Sequence, residues 1–421
     1  MALVLGTTAA LPAYAGPARA ADGTSRYAFA EDARRIEGAR GTAQAVPLTP
    51  GAAYRSSLPG EGEVFYRLEL DGTSNAYVSA TAVPSPGSTV SSADGLRISV
   101  ADGDGRSCSL DTVTFGAPGS PRPLTAWGMR EISPTRSLCR AAGTYYVSVE
   151  RAGRAAGGGA TEPWDLELAV VSEPGLREAG ATSAPTAGDS ASPPPPTGEA
   201  VHRPGGTGFS RATVLGEGVW RDDIRPGRTL FYKVPVDWGQ RLSVTAELSG
   251  SGTARRGYLV HALDLALHNP ARGVVQDVGV SYDGGQKAGS LAALPPVAYA
   301  NRYAAARRIK AMRFAGSYYL VAHLARKVAD TFGDEPVALT LRVRVSGAGQ
   351  AGPEYAGEPV PSGVFQVSAQ DRAEAAGASA SAGGDSVMTA VAVGGIGTGT
   401  VLLAGLGVWT VVARRRAGVS P

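Results

Sequence analysis

Residues 21–173 and 209–346 carry the same succession of short apolar segments, so the interior of this chain must fold as two copies of one module. In the first copy Leu48 leads to Tyr54, and the pair Phe65-Tyr66 opens an alternating run through Leu68 and Leu70. In the second, Leu215 leads to Trp220, and Phe231-Tyr232 opens a run through Val234 and Val236. Val78, Ala80 and Ala82 then correspond to Leu242, Val244 and Ala246. Leu96, Ile98 and Val100 enter the turn Asp102-Gly103-Asp104-Gly105, as Leu263, Leu265 and Leu267 enter a turn at 269–273. The closest match sets Ala142-Gly143-Thr144-Tyr145-Tyr146 against Ala315-Gly316-Ser317-Tyr318-Tyr319. Alternation through Trp164, Leu166, Leu168 and Val170 closes one copy, and Val337, Leu339, Leu341, Val343 and Val345 close the other.

Period-2 alternation buries one face of a strand and wets the other. Each copy supplies roughly seven or eight such strands between Gly, Pro and Asp turns, and none shows a sustained helical period. The fold class is therefore all-β: two tandem antiparallel β-sandwiches, jelly-roll-like. The abundance of turn formers, 57 Gly and 29 Pro, agrees and argues against a helical bundle. One stretch, 301–312, is rich in Ala and Arg and suits a short helix, whereas its expected counterpart, 125–137, contains Pro134 and does not. In each Tyr-Tyr pair, period 2 sends one ring inward and the other outward.

The ends set the compartment. Residues 2–11 are apolar and are followed by Pro12, Pro17 and the small-x-small triplet Ala18-Arg19-Ala20, which reads as a secretory signal cleaved after Ala20. The basic start of such a signal is missing, since the first basic residue is Arg19, so either the start lies a few residues upstream or the signal is atypical. Residues 387–413 carry no charge and as a helix would span about 39 Å, enough to cross a bilayer with tilt. Arg414, Arg415 and Arg416 follow at once, which places the 414–421 tail in the cytoplasm, and Trp409 suits the interface as an anchor. The expectation is a single-pass protein of the cell membrane with its modules outside. No Leu-Pro-x-Thr-Gly motif precedes the apolar segment, so retention in the lipid bilayer is favoured over attachment to a cell wall. Gly395 and Gly399 have the spacing of a helix-dimer face, so a homodimer through the span is an option, although glycine is common enough here for chance to supply the pair.

Cys108 and Cys139 are the only cysteines, and in an oxidising exterior they are expected to form a disulfide. Closing a loop of about 30 residues would contribute on the order of 3 kcal/mol in the chain-entropy model. Two Pro/Ala/Ser/Gly-rich stretches lack any apolar period: 174–208, expected as a semi-extended linker, and 347–386, expected as a flexible stalk.

Catalytic and metal signatures are absent from the sequence. The four histidines are His202, His261, His268 and His323, and the odd spacing of His261 and His268 would put their rings on opposite faces of a strand. There is no His-Glu-x-x-His helix, no Gly-x-Ser-x-Gly elbow and no phosphate-cradling loop. Asp102 to Gly105 reads as a hairpin turn rather than a calcium loop, because later ligands and a closing Glu are missing. No catalytic, cofactor-binding or metal residue is assigned, and no cofactor is expected. The net charge of +3 is small for 421 residues and gives no nucleic-acid footprint.

The order of a Phe-Tyr strand, a Leu-x-Leu-x-Leu strand with an Asp/Asn-Gly turn, an Ala-Gly-Thr/Ser-Tyr-Tyr strand and a last alternating strand resembles bacterial pre-peptidase C-terminal domains. The resemblance implies small secreted β-sandwiches that lie beside extracellular peptidases and act in binding, secretion or processing without catalysis. Calcium sites of related collagen-binding modules are not carried over, since they would need an acidic cluster near the module's start and only the pair Glu31-Asp32 stands together before the first strands. The expected function is a non-catalytic cell-surface protein that displays two interaction modules to an envelope or extracellular protein partner. An accessory subunit of a membrane or secretion complex, docking through its membrane helix, is the alternative; an extracellular enzyme with an unrecognised site comes last.

Overall fold

The computed structural model describes residues 27–383, apart from 86, 134–136, 154–161, 179, 186–192 and 254. The signal at 1–20, the span at 387–413 with Gly395, Gly399 and Trp409, and the tail with Arg414, Arg415 and Arg416 lie outside the described residues. Among the described residues no helix is long and apolar enough to cross a membrane.

The chain is mostly β, in four five-stranded sheets that form two sandwiches. In the first, one sheet runs in the order Arg34–Arg35, Ala53–Leu58, Trp164–Glu173, Asn75–Val83, Leu124–Arg130. The facing sheet runs Val46–Pro47, Glu63–Leu70, Gly143–Ala152, Gly95–Asp102, Ser107–Thr114. The second sandwich repeats this order: Val201–His202, Gly218–Ile224, Val337–Ser346, Arg241–Leu248, Lys287–Ser290, against Thr213–Val214, Thr229–Val236, Gly316–Leu324, Leu259–His268, Val274–Tyr282.

Register follows the alternation read from the sequence. Val78, Ala80 and Ala82 lie opposite Val170, Leu168 and Leu166, as Leu242, Val244 and Ala246 lie opposite Val345, Val343 and Leu341. A slip of one residue would turn each apolar set to solvent, so burial of these side chains fixes the pairing. The aromatic pairs have equivalent jobs. The hydroxyl of Tyr66 donates to Ser56 and that of Tyr232 to Asp222, both at 2.8 Å, which ties the two sheets of each sandwich through a buried ring. Tyr145 and Tyr318 point inward and each donates to a backbone carbonyl four residues upstream, at 2.7 Å. Tyr319, the outward ring of its pair, meets Phe209 edge-on at 5.1 Å.

Three expectations need correction. The 301–312 stretch does hold a short helix, the single turn Arg307–Lys310 after a 3-10 turn, Tyr299–Tyr303, but 125–137 is not its counterpart: the strand Leu124–Arg130 has as its equivalent in the sheet order the short strand Lys287–Ser290. The 174–208 stretch is not a plain spacer: Leu176 bridges to Tyr355, and Val201–His202 adds a parallel strand beside Trp220 and Arg221. Nor is 347–386 a free stalk over its described part. Val360 bridges to Ser172, Phe365 is 3% exposed in an apolar cluster, and the helix Ala369–Gly383 lies against the second sandwich, with Ser379 donating to the Glu217 carbonyl at 2.9 Å. Such stretches cannot build a core of their own, but isolated apolar residues and unpaired backbone groups find partners on a surface that already exists.

The two sandwiches are joined by a buried interface. Tyr77, Trp127 and Val171 of the first cluster with Ala271 and Phe314 of the second, and Phe365 caps the cluster, its ring stacked on Phe314 at 4.2 Å. Gly273 permits this approach, because a Cβ there would collide with the Trp127 ring. Charges ring the cluster: Glu173 with Arg302 at 2.5 Å, Asp111 with Arg307 at 2.6 Å, and Glu131 with Arg313 and Lys310. Burial alone would raise the carboxyl groups of Glu131 and Glu173. The arginines outweigh it and hold both below the usual carboxylate range.

Candidate functional site: a cleft between the sandwiches

Beside this interface the two sandwiches leave a cleft of about 540 Å³. The first sandwich lines it with Arg55, with Val83 and Asp165 at strand ends, with Pro84, Ser85 and Gly87, and with the proline-rich loop at 121–123. The second contributes Pro226, Gly227, Arg228 and Thr229, with Phe231 and Arg326. Tyr27 and Phe29, on the segment that leads into the first sandwich, form the rest of the wall with Thr207.

Local structure holds each of these groups in place. Gly227 has φ +79°, a left-handed turn that suits glycine; its amide donates to the Leu324 carbonyl at 2.7 Å, and the Leu324 amide returns to the Arg228 carbonyl at 3.1 Å. The stem of Arg326 lies along the open face of Gly227, its Cβ 3.7 Å from where a Cβ on that glycine would stand. On the other wall Arg55 pairs with Asp165 at 2.9 Å and covers the Phe29 ring at 4.3 Å from its centroid. Arg122 reaches across the boundary to Asp264 at 3.2 Å and donates to the Phe115 carbonyl at 2.7 Å. Behind the wall the Tyr27 hydroxyl donates to Glu167, which also pairs with Arg272 at 3.3 Å.

The cleft is electropositive. Four guanidinium groups line it against one carboxylate, Asp165. Two of them are met by carboxylates, Arg55 by Asp165 and Arg122 by Asp264. Burial raises the Asp264 carboxyl, Arg122 counters it in part, and Asp277 adds to the rise. Arg228 is pushed down by burial and then by its like-charged neighbour Arg225. Arg326 has no carboxylate partner among the described residues.

A Ser-His contact sits nearby but is not arranged for catalysis. The His323 ring joins Ser120 through Nε2 at 2.8 Å and Thr229 through Nδ1 at 2.9 Å. Ser120 is 2% exposed and its oxygen accepts the Arg326 amide at 3.0 Å, so the hydroxyl faces a strand end and not the cleft. Burial first, then the charge of Arg122, depresses the His323 ring far below its ordinary range. His268 is also buried, with Nδ1 3.1 Å from the Arg272 carbonyl, while His202 and His261 are exposed. Among the described residues no group of three or more His, Cys, Asp or Glu could hold a metal ion. Asp102 closes a plain hairpin turn, accepting the Gly105 amide on its carbonyl at 2.9 Å and the Arg106 amide on its carboxylate at 2.8 Å.

Of the residues singled out from sequence, Cys108 and Cys139 are brought together and bonded, with Cα atoms 5.7 Å apart. The cleft residues were not anticipated. The one available signal was the parallel occurrence of Arg within two residues of Pro in two turn-like segments, Pro121-Arg122-Pro123 and Pro226-Gly227-Arg228.

No protein-family model matches the chain, and no curated protein matches it. Among solved structures it overlaps the CUB1-EGF-CUB2 region of human MASP-1/3 at 9% identity and a TM-score of 0.17, covering 69% of this chain and 99% of that one. The tandem CBM22 modules of Xyn10C from Paenibacillus barcinonensis give 7% and 0.16, covering 71% and 92%. The tandem CBM51 modules of Sp3GH98 from Streptococcus pneumoniae give 8% and 0.17, covering 70% and 85%. Scores of this size carry no argument about family or ligand.

Proposed function

We propose that this chain is an exported, non-catalytic interaction protein, held at the cell surface by residues 387–413, whose two sandwiches act as one body and offer the cleft between them to a protein partner. The observation that carries this reading is the shared interface: a cleft walled by both sandwiches keeps its shape only if they do not swing, and the Tyr77, Trp127 and Phe314 cluster holds them together. A disulfide favours an oxidising exterior, in keeping with the apolar leader and the Arg-tipped apolar segment. The equivalent tyrosines of the two copies, Tyr66 with Tyr232 and Tyr145 with Tyr318, support placing both sandwiches near the pre-peptidase C-terminal domains.

The test is site-specific photocrosslinking of the full chain in its own membrane. A benzophenone residue at Ser85, in the cleft wall, should capture a protein, and one at Leu110, 59% exposed and outside the cleft, should not. Equal capture at both positions, or release of the uncut chain into the medium, would overturn the proposal.

A further inference from the structure

We infer that residues 27–31 form a strap that closes the cleft, seated where a tyrosine-bearing segment of the partner docks and exchanging with it. This rests on the reading of the cleft as the interaction surface and adds how that surface is covered and what uncovers it. The strap precedes the first strand and touches both sandwiches. On the first, the Tyr27 hydroxyl and, at 3.1 Å, the Ala30 amide both donate to Glu167, while Phe29 lies under Arg55. On the second, the Ala28 amide donates to the Thr207 carbonyl at 3.0 Å, and the Ala28 carbonyl accepts from the Ser210 hydroxyl at 3.3 Å. The Tyr27 ring meets Phe231 edge-on at 5.7 Å and shares an apolar cluster with Phe209 and Val321. Burial first and then the charge of Glu167 push the Tyr27 hydroxyl up, so it stays a donor.

Two features make the strap exchangeable. Its hold is side-chain burial and not a ladder: among the described residues, Ala28 to Thr207 is the one backbone bond between the strap and either sandwich. The pair of Glu31 with Arg211 is exposed on both sides and contributes little. A segment near a chain end, tied in this way, opens well below the free energy of global unfolding. The second feature is that Glu167 keeps Arg272 at 3.3 Å when the strap leaves, so its departure strands no buried charge. What it uncovers is an apolar groove of Phe209, Phe231 and Val321 beside the Glu167 carboxylate. That combination selects an aromatic ring bearing a hydroxyl, and the strap itself presents the pattern: Tyr27, with a second ring two residues on at Phe29.

Fluorescence polarisation with the full chain in nanodiscs tests this, using a labelled peptide of the strap's own sequence, Tyr-Ala-Phe-Ala-Glu-Asp, and a twin with Phe in place of the Tyr. The peptide should bind Y27A/F29A, whose strap no longer fills the seat, roughly tenfold or more tighter than the wild type, where the tethered strap competes. The twin lacks the hydroxyl that Glu167 accepts and should bind the variant roughly tenfold more weakly than the peptide. Equal binding of peptide and twin, or equal binding to variant and wild type, would overturn the inference. Should the thermal midpoint show that Y27A/F29A does not fold, hydrogen exchange of the wild type decides. The Ala28 and Ala30 amides should then exchange roughly a hundredfold faster than those of Leu166 and Leu168 in the adjacent strand, and exchange as slow as theirs would overturn the strap. Photocrosslinking at Ser85 separates this from the proposed function. Capture should rise in Y27A/F29A; a partner captured equally with and without the substitutions would sink the strap alone. Peptide exchange with no partner captured in either form would sink the proposed function while the strap stands.

Discussion

Arg302 of the second sandwich reaches Glu173 of the first and grips both carboxylate oxygens, at 2.5 and 3.2 Å, with the two side chains 7% and 0% exposed. Asn75 and Tyr77 donate to the same carboxylate at 2.8 Å and Tyr355 at 3.0 Å, so an ion at the boundary collects donors from both sandwiches and from the C-terminal segment.

Replacing Arg302 with Ala strands a buried carboxylate among neutral donors, which should cost about 3–5 kcal/mol. The paired replacement R302M/E173L removes both charges and should cost much less. Urea denaturation measures both, and a single variant no less stable than the double would show that the pair contributes little.

Phe365 links the C-terminal segment to the inter-sandwich cluster, so F365A should cost about 3–5 kcal/mol, as large aromatic truncations in cores do. The loss should loosen the segment and the boundary together. Hydrogen exchange at the Ser172 and Val360 amides, which bond each other's carbonyls, should quicken with exchange around Trp127. Quickening at only one of the two places would show that they are not coupled.

Acid should destabilise the protein before its carboxylates titrate. Burial takes the His268 ring down to about 4 from an ordinary value of 6.5. Between those values the unfolded chain binds a proton that the folded one refuses, so stability is full above pH 6.5 and falls as pH drops toward 4, by at most about 1.4 kcal/mol per pH unit for one histidine. His323 shifts the same way, while Glu131 and Glu173, held low by arginines, add their losses below their ordinary value of 4.5. H268Q should flatten the slope of urea midpoint against pH between 6.5 and 4.5. An unchanged slope would assign the effect to other groups.

Reduction, or the C108S/C139S variant, should lower stability by about 2–4 kcal/mol, with the first sandwich affected directly. Because the sandwiches share an interface, calorimetry of the oxidised protein should show one transition and of the variant two. Two transitions in the oxidised protein would mean that the interface does not couple them.

Each sandwich was legible because its core is a local property of alternation. Val78, Ala80 and Ala82 announce a buried face whatever their partner strand proves to be. The boundary was not legible, since Tyr77 and Val171 lie on the opposite face of those strands and Glu173, Arg302 and Arg313 read as solvent-facing charges until a partner more than a hundred residues away covers them. The cleft was hidden for a further reason. The two copies present different surfaces to it, so the repeat that revealed the modules gives no hint of residues that lack a counterpart, such as Arg228, whose place in the first copy is taken by Gly62.

The helix Ala369–Gly383 ends three residues short of position 387 and is fastened along the second sandwich by Ser379, by Lys233 with Asp371 at 3.8 Å and by Arg372 with Asp237 at 2.7 Å. A limp tether over 347–386 would let the sandwiches roam more than about 100 Å from the bilayer, whereas 384–386 fully extended reach only about 11 Å. On the proposed anchoring, the second sandwich therefore rides low, almost resting on the lipid headgroups, and whatever enters the cleft must be found close to the membrane plane and not out in the medium.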